Sequence, residues 1–259
     1  MAQISDTHVG GPISGSGERL SLAVSEINSM GLQPDLVLLT GDLTHDGSSD
    51  QWSELKHRLA KLNAPWEVIP GNHDGAISEI AGHRAIDAGP VRLVLVDTSN
   101  GGLDQDDAEW LDSELSSHSN RRVVIAIHHP PFETGIWWMD CVGLVGIEVF
   151  EGVVRGHANV EKVLSGHIHR LIQTNWGSCS LWVCPSTYVS VVGDLDPNHD
   201  PAESAEGPTF SLHAFTSGGV ISHLIPAGAE AKRQSIGRHA PDFIESVRKT
   251  QALRPSSYK

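Results

Sequence analysis

The sequence predicts an α/β sandwich. Two observations carry that reading: short apolar runs alternate with segments of helical periodicity, and several runs are apolar without interruption, as in strands covered on both faces. Residues 2–5 (AQIS) form a short strand. Residues 18–30 place Leu20, Ala23, Val24 and Ile27 at helical spacing, and Gly31 stops the helix. Residues 35–40 (DLVLLT) read as a strand buried on both faces. Ser48 or Ser49 caps a helix through Leu62, whose apolar face is Trp52, Leu55, Leu59 and Leu62. Strands follow at 66–69, 91–96 and 121–127, with a helix over 106–117 between the last two, its first turn acidic as the helix dipole favours. A Gly-, Trp- and Pro-containing stretch (130–145) precedes a helix at 147–156 and a strand leading to Gly166. Beyond residue 170 the pattern changes to shorter alternating strands at 180–184, 187–192, 209–215 and 219–225. Residues 1–225 thus read as one domain and 226–259 as a peripheral polar tail, with a helix near 242–253.

Composition limits the function. The chain has 259 residues, 39% apolar and 19% charged, ordinary values for a globular protein able to bury a sizeable core. No apolar run reaches the ~18 residues of a membrane span, and MAQISD opens no signal sequence; a cytoplasmic location is the expectation. Cys141, Cys179 and Cys184 are odd in number and lack metal-type spacing, so buried free thiols are expected. The net charge of −14 disfavours an extended nucleic-acid interface, which needs rows of Lys and Arg. An anionic substrate would then need local positive charge from elsewhere, and bound metal can supply it. Fifteen histidines fit that idea.

The informative residues lie at the strand ends. SDTH follows the first strand with Asp6 and His8; GDLTHDG follows the second with Asp42; GNHD follows the third with Asn72, His73 and Asp74. HHPP supplies His128 and His129, and GHIH supplies His167 and His169. In an extended chain residues two apart face the same side, so His167 and His169 share one space. Each cluster taken alone reads more readily as a solvated turn, since Gly, Asp and Asn are common turn residues. Five with metal-binding side chains at the carboxyl edge, where ligands bind in open α/β sheets, do not.

In this order, Asp-x-His, Gly-Asp, Gly-Asn-His-Asp, His and Gly-His-x-His resemble the calcineurin-like metallophosphoesterase superfamily, over residues 6–169. Within it, the compact size, ISDTH, HHPP and the β-rich segment after GHIH are most similar to bacterial class III cyclic nucleotide phosphodiesterases and glycerophosphodiesterases. The resemblance implies a β-sandwich flanked by helices in α/β/β/α layers. It also implies two divalent metal ions per chain, of Fe/Mn type with zinc as the alternative; ligands without thiolate suit these metals. One ion would take Asp6, His8, Asp42 and His169, and the other Asp42, Asn72, His128 and His167. The two histidines of GHIH would therefore serve different ions of one pair. Such a pair acidifies a bridging water and clamps the phosphoryl oxygens of a diester. His73, left without a metal, would stabilise or protonate the leaving oxygen.

Three departures from the family pattern stand out. Many relatives carry Asp three residues after the Gly-Asp aspartate, where it can orient the catalytic imidazole; here His45 occupies that position, leaving Asp46 or Asp74 to orient His73. The strand before Asp6 is shorter than usual, so a start upstream of Met1 is expected. His129 is expected to pack behind the ligands or face solvent. Trp137 and Trp138, on the segment after His128, could stack on a nucleobase, pack under their loop, or form a contact in a homodimer. The partner expected is a small phosphodiester, foremost a 3',5'-cyclic nucleotide. A glycerophosphodiesterase or a phosphomonoesterase on the same metals is the alternative. A non-catalytic scaffold of this fold would have lost ligands, and none of the seven is missing.

Overall fold

The computed structural model describes residues 1–75, 77–228 and 240–252. The chain opens with β1 (Ala2–Ile4), α1 (Ser16–Asn28), β2 (Val37–Thr40), α2 (Ser49–Leu59) and β3 (Trp66–Ile69). β1, β2 and β3 pair in parallel, as the βαβ connections require. A second unit follows with β4 (Arg84–Ala88), β5 (Val91–Leu95), α3 (Gln105–Ser117), β6 (Arg122–Ala126), α4 (Trp137–Asp140), α5 (Ile147–Gly156) and β7 (Val160–Ser165). β8 (Ile172–Trp176), β9 (Cys179–Val183), β10 (Ser190–Val191), β11 (Glu203–Ser204), β12 (Thr209–Thr216), β13 (Gly219–Pro226) and α6 (Pro241–Ala252) complete the described elements.

The strands form two main sheets, ordered β13-β12-β1-β2-β3 and β4-β5-β6-β7-β9-β8, beside a small β10-β11 ribbon. Three apolar clusters fill the spaces between four layers, two of helices and two of strands. Leu20, Val24 and Ile27 of α1 and Leu55 and Leu59 of α2 cover one face of the first sheet through Val37 and Leu39. Leu111 and Leu115 of α3 and Phe150 and Val154 of α5 cover the outer face of the second sheet through Val123, Ile125 and Val163. Between the sheets lie Leu38, Ile69, Leu93, Leu95, Val124 and Leu164. Alternate residues of β2 thus enter different layers, which is why its sequence is apolar throughout. The architecture is the α/β/β/α arrangement expected.

Several boundaries differ from the sequence reading. β4 and β8 are sheet-edge strands with half-exposed, polar-looking sequences, so hydropathy alone passes over them. The strand expected at 187–192 shrinks to Ser190–Val191. The preceding backbone is engaged elsewhere: Thr187 donates to the Ser5 carbonyl, and the Val189 carbonyl accepts from a histidine ring. Cys141 is exposed, against the expectation of three buried thiols, because it caps the short α4 in a surface loop; Cys179 and Cys184 are buried. Of the expected tail, residues 229–239 and 253–259 lie outside the described residues, and the helix near 242–253 is α6. Among the described residues no helix is long and apolar enough to cross a membrane.

Candidate metal centre and substrate cavity

The carboxyl ends of β1, β2 and β3 meet those of β6 and β7 from the opposite sheet. Backbone hydrogen bonds tie the loops within each sheet, Asp6 donating to the Gly41 carbonyl and Gly166 to the His128 carbonyl, and the His167 N–H bonds Asp6 across the two. Close approach demands glycine at two points. A Cβ on Gly71 would strike Asp42, and one on Gly166 would strike Ser5 and come within 2.8 Å of Asp6 Oδ2.

Among the described residues, five other than glycine have positive φ: Asp6 (51°), His8 (40°), Asp42 (49°), His167 (70°) and His169 (55°). All five are candidate ligands. Left-handed backbone costs a residue with a side chain on the order of 1–2 kcal/mol, so its concentration here marks a site whose geometry overrides local preference.

The side chains converge accordingly. Asp6, His8, Asp42 and His169 offer ligand atoms that all lie within 4.8 Å of one another, and His128, His129 and His167 do the same. Asp42 joins the two groups, with Oδ2 3.5 Å from His8 Nε2 and Oδ1 3.4 Å from His128 Nε2. His8 Nε2 and His169 Nε2 face each other at 3.1 Å, and His169 Nε2 is 3.5 Å from Asp6 Oδ1. Asn72 is exposed and lines the cavity above them.

The outer partners orient these rings. His128 Nδ1 donates to the Thr40 carbonyl at 2.7 Å, and His169 Nδ1 to the Val189 carbonyl at 3.0 Å. Each bond fixes a proton on Nδ1 and turns Nε2 inward, the nitrogen a metal-bound imidazole uses. Asp6 accepts from the His167 backbone N–H through both oxygens, at 3.0 and 3.1 Å, and Asp42 Oδ1 accepts from that of His73 at 3.0 Å. The Nε2 atoms of His128 and His167 are buried without a hydrogen-bond partner. Native proteins rarely leave buried polar atoms so, and a pair of cations beside Asp42 would satisfy both. The residues present therefore fit a divalent metal pair.

Electrostatics agree with that fit. Burial pushes the Asp6 carboxyl up to about 7, partly opposed by His128. Burial would depress His128, but the Asp42 carboxylate facing it outweighs this and raises it to about 9. Asp42 is held well below the usual carboxylate range: burial works upward and is overcome by His128. Burial, reinforced by neighbouring imidazoles, depresses His8 and His167 and takes His169 to about 4, keeping them neutral donors.

His73 stands beside this cluster, its ring 4.7 Å from that of His8 and edge-on to it. Neither aspartate expected to orient it does so. The Asp74 carboxylate accepts from the backbone N–H groups of Leu43, Thr44 and Gly71 and from the Thr44 hydroxyl. Asp46 accepts from the Ser48 N–H. The group that holds His73 is the His45 carbonyl, which accepts from Nδ1 at 2.6 Å.

His129, expected to pack behind the ligands or face solvent, takes the first course: it is buried, bonds Thr98 Oγ1 through Nδ1 and stands 4.4 Å ring to ring from His167. Sequence reasoning passed over Tyr188. Tyr188 packs 5.4 Å from His8 and accepts from the Ile13 N–H. A cavity of about 580 Å³ opens over the cluster, walled by Ile13, Trp138, Met139, Val142 and Tyr188, with Glu203 at its edge. Of the two tryptophans only Trp138 reaches it. Trp138 also packs against buried residues such as Met139 and Ile168, while Trp137 lies outside the cavity and is 37% exposed.

Such a fold and site define a metal-dependent phosphoric ester hydrolase. Residues 1–171 match the calcineurin-like phosphoesterase family, and the chain belongs to it. It is 29% identical over 241 residues to a probable glycerophosphodiester phosphodiesterase (GpdQ) of Arcobacter nitrofigilis, covering 83% of this chain and 88% of that one. It is also 29% identical over 208 residues to the 3',5'-cyclic adenosine monophosphate phosphodiesterase (CpdA) of Pseudomonas aeruginosa, covering 73% and 76%. The fold is shared with a dimetal phosphatase of Danio rerio, at TM-score 0.61, 15% identity and 88% and 98% coverage. A purple acid phosphatase of yellow lupin shares it too, at TM-score 0.65, 13% identity and 87% and 51% coverage.

Proposed function

We propose that this metal-dependent phosphoric diester hydrolase acts on a small diester, foremost a 3',5'-cyclic nucleotide. The observation that carries the reading is Asp42, whose two oxygens face two separate groups of ligand atoms. Asp6, His8, Asp42 and His169 would hold one ion, and Asp42, Asn72, His128 and His167 the other. When bound, such a pair supplies an acidified water as nucleophile and neutralises charge on the phosphoryl oxygens. The protein's own groups do the rest. Thr40 and Val189 fix the rings of His128 and His169, and the His45 carbonyl aims His73 so that its Nε2 can give a proton to the departing alkoxide. Ligands of imidazole, carboxylate and amide suit manganese or iron, and zinc as well.

Cavity charge favours a diester over a monoester. Among the described residues no Lys or Arg lines the cavity, and Glu203 adds negative charge at its edge. A singly charged diester asks less of such a site than a dianionic monoester. The apolar wall with Trp138 and Tyr188 suits a planar base. The GpdQ relative of matching length favours a second reading, a glycerophosphodiester. Three unpaired cysteines fit a reducing, cytoplasmic setting.

The test is to reconstitute the protein with manganese and compare rates on bis-p-nitrophenyl phosphate and p-nitrophenyl phosphate, then on cyclic AMP and glycerophosphoethanolamine. Faster diester than monoester cleavage, with cyclic AMP ahead, is the expected result. A monoester preference would overturn the diester reading, and a glycerophosphoethanolamine preference the nucleotide one.

A further inference from the structure

His45 does more than lend its carbonyl to His73. Its imidazole lines the cavity, 5.3 Å from the His73 ring and tilted 33° to it. His8, His45 and His73 can each present a nitrogen such that all three lie within 4.8 Å of one another. His45 Nδ1 is enclosed and has no hydrogen-bond partner. A buried N–H without an acceptor is costlier than a bare lone pair, so the ring proton belongs on Nε2, the nitrogen left open. The neighbouring His73 has the opposite arrangement. Its Nδ1–H is committed to the His45 carbonyl, so its Nε2 is also the open nitrogen. Two imidazole edges therefore open side by side on one wall of a cavity that, among the described residues, has no Lys or Arg.

We infer that His45 is a specificity residue that donates a hydrogen bond to the ribose 2'-hydroxyl of a 3',5'-cyclic nucleotide, while His73 serves the adjacent 3'-oxygen. The inference rests on the proposed diesterase reading and deepens it. In the reaction, water loses a proton as its oxygen bonds to phosphorus, the P–O3' bond breaks, O3' takes a proton from His73, and the proton lost by water restores His73. The 2'-hydroxyl sits on the neighbouring carbon, so a ligand that brings O3' to His73 carries a second oxygen at hydrogen-bond distance from the first. The side chain beside His73 on the cavity wall is His45, and its open Nε2–H is a donor that the 2'-oxygen can accept. Where a carboxylate occupies this position, it could not donate that bond.

The experiment uses the manganese-reconstituted full chain and measures kcat/KM for cyclic AMP and 2'-deoxy cyclic AMP, in the unmodified protein, His45→Ala and His45→Gln. The backbone carbonyl that holds His73 survives both substitutions, and metal content with thermal midpoint checks that each variant is folded and loaded. The unmodified protein should prefer cyclic AMP by about tenfold, the yield of one modest hydrogen bond. In His45→Ala that preference should fall to near one, whatever the absolute rates, and His45→Gln should restore part of it. A preference near one in the unmodified protein, or one unchanged in His45→Ala, would overturn the inference. Failure to cleave bis-p-nitrophenyl phosphate, which has no hydroxyl, would instead remove the diesterase reading beneath it.

Discussion

The floor and the wall of the cavity are built on different terms. The floor is a set of strand-end residues, Asp6, His8, Asp42, His128, His167 and His169, all buried and held by backbone hydrogen bonds from both sheets. The wall is drawn from loops and a short helix: Ile13, Trp138, Met139, Val142 and Tyr188. Side chains on a rigid scaffold can be placed to the tolerance that chemistry needs, whereas loops can change shape and carry selectivity. The floor should decide whether a phosphate ester is cut, and the wall which one.

The most severe way to test that division is to remove the joint in the floor. Asp42→Ala should lower activity on every substrate by roughly 10³-fold or more, since it weakens both ions of a pair supplying several kcal/mol. Metal analysis should show both ions depleted, whereas His8→Ala should chiefly empty one. Equal retention of two ions in Asp42→Ala would refute the bridge.

Next in size is His73→Ala, which should keep both ions and lose about 10²–10⁴-fold on a poor alcohol leaving group. The loss should be clearly smaller on p-nitrophenolate, which departs without a proton. If metal is lost and both leaving groups suffer alike, His73 is only a prop for its loop.

The wall gives smaller effects. Trp138→Leu should raise KM for cyclic AMP by the ~1–3 kcal/mol of one base-stacking contact, about five- to a hundredfold, with kcat little changed. Trp137→Ser should do nothing comparable, because Trp137 lies outside the cavity. A matching KM effect from Trp137 would move the base to a different surface.

Acidity sharpens the comparison from the other side. With Asp6 raised to about 7 and His128 to about 9, each ion entering at neutral pH must displace a proton. Manganese affinity, measured by calorimetry, should therefore rise between pH 6 and 9, by about tenfold per unit for each proton displaced. A flat profile would mean that neither group holds a proton in the metal-free site.

Legibility followed the same division. The candidate ligands stood out because metal chemistry restricts residue type at each strand end, and the strands feeding them are apolar on both faces. For His129, on the same motif, the doublet does not say which ring faces inward, so packing behind the ligands and facing solvent stayed open. The wall left no comparable signal: Ile13, Met139 and Val142 look like any apolar residues until the fold brings them over the candidate ligands. The residue holding His73 was sought among side chains, and the structure uses a backbone carbonyl, which every residue carries. The edge strands β4 and β8 escaped for a related reason, since half-exposed strands mix polar and apolar residues without clean alternation.

The left-handed backbone at Asp6, His8, Asp42, His167 and His169 sets selection for durability against selection for turnover. Chosen for thermal endurance alone, variants of this chain would drift towards glycine or asparagine at these positions, easing the backbone and dismantling the centre. A redesign guided by stability alone would recommend the same replacements. Any effort to harden this protein should therefore exempt these five residues and seek its gains in the helices and outer loops.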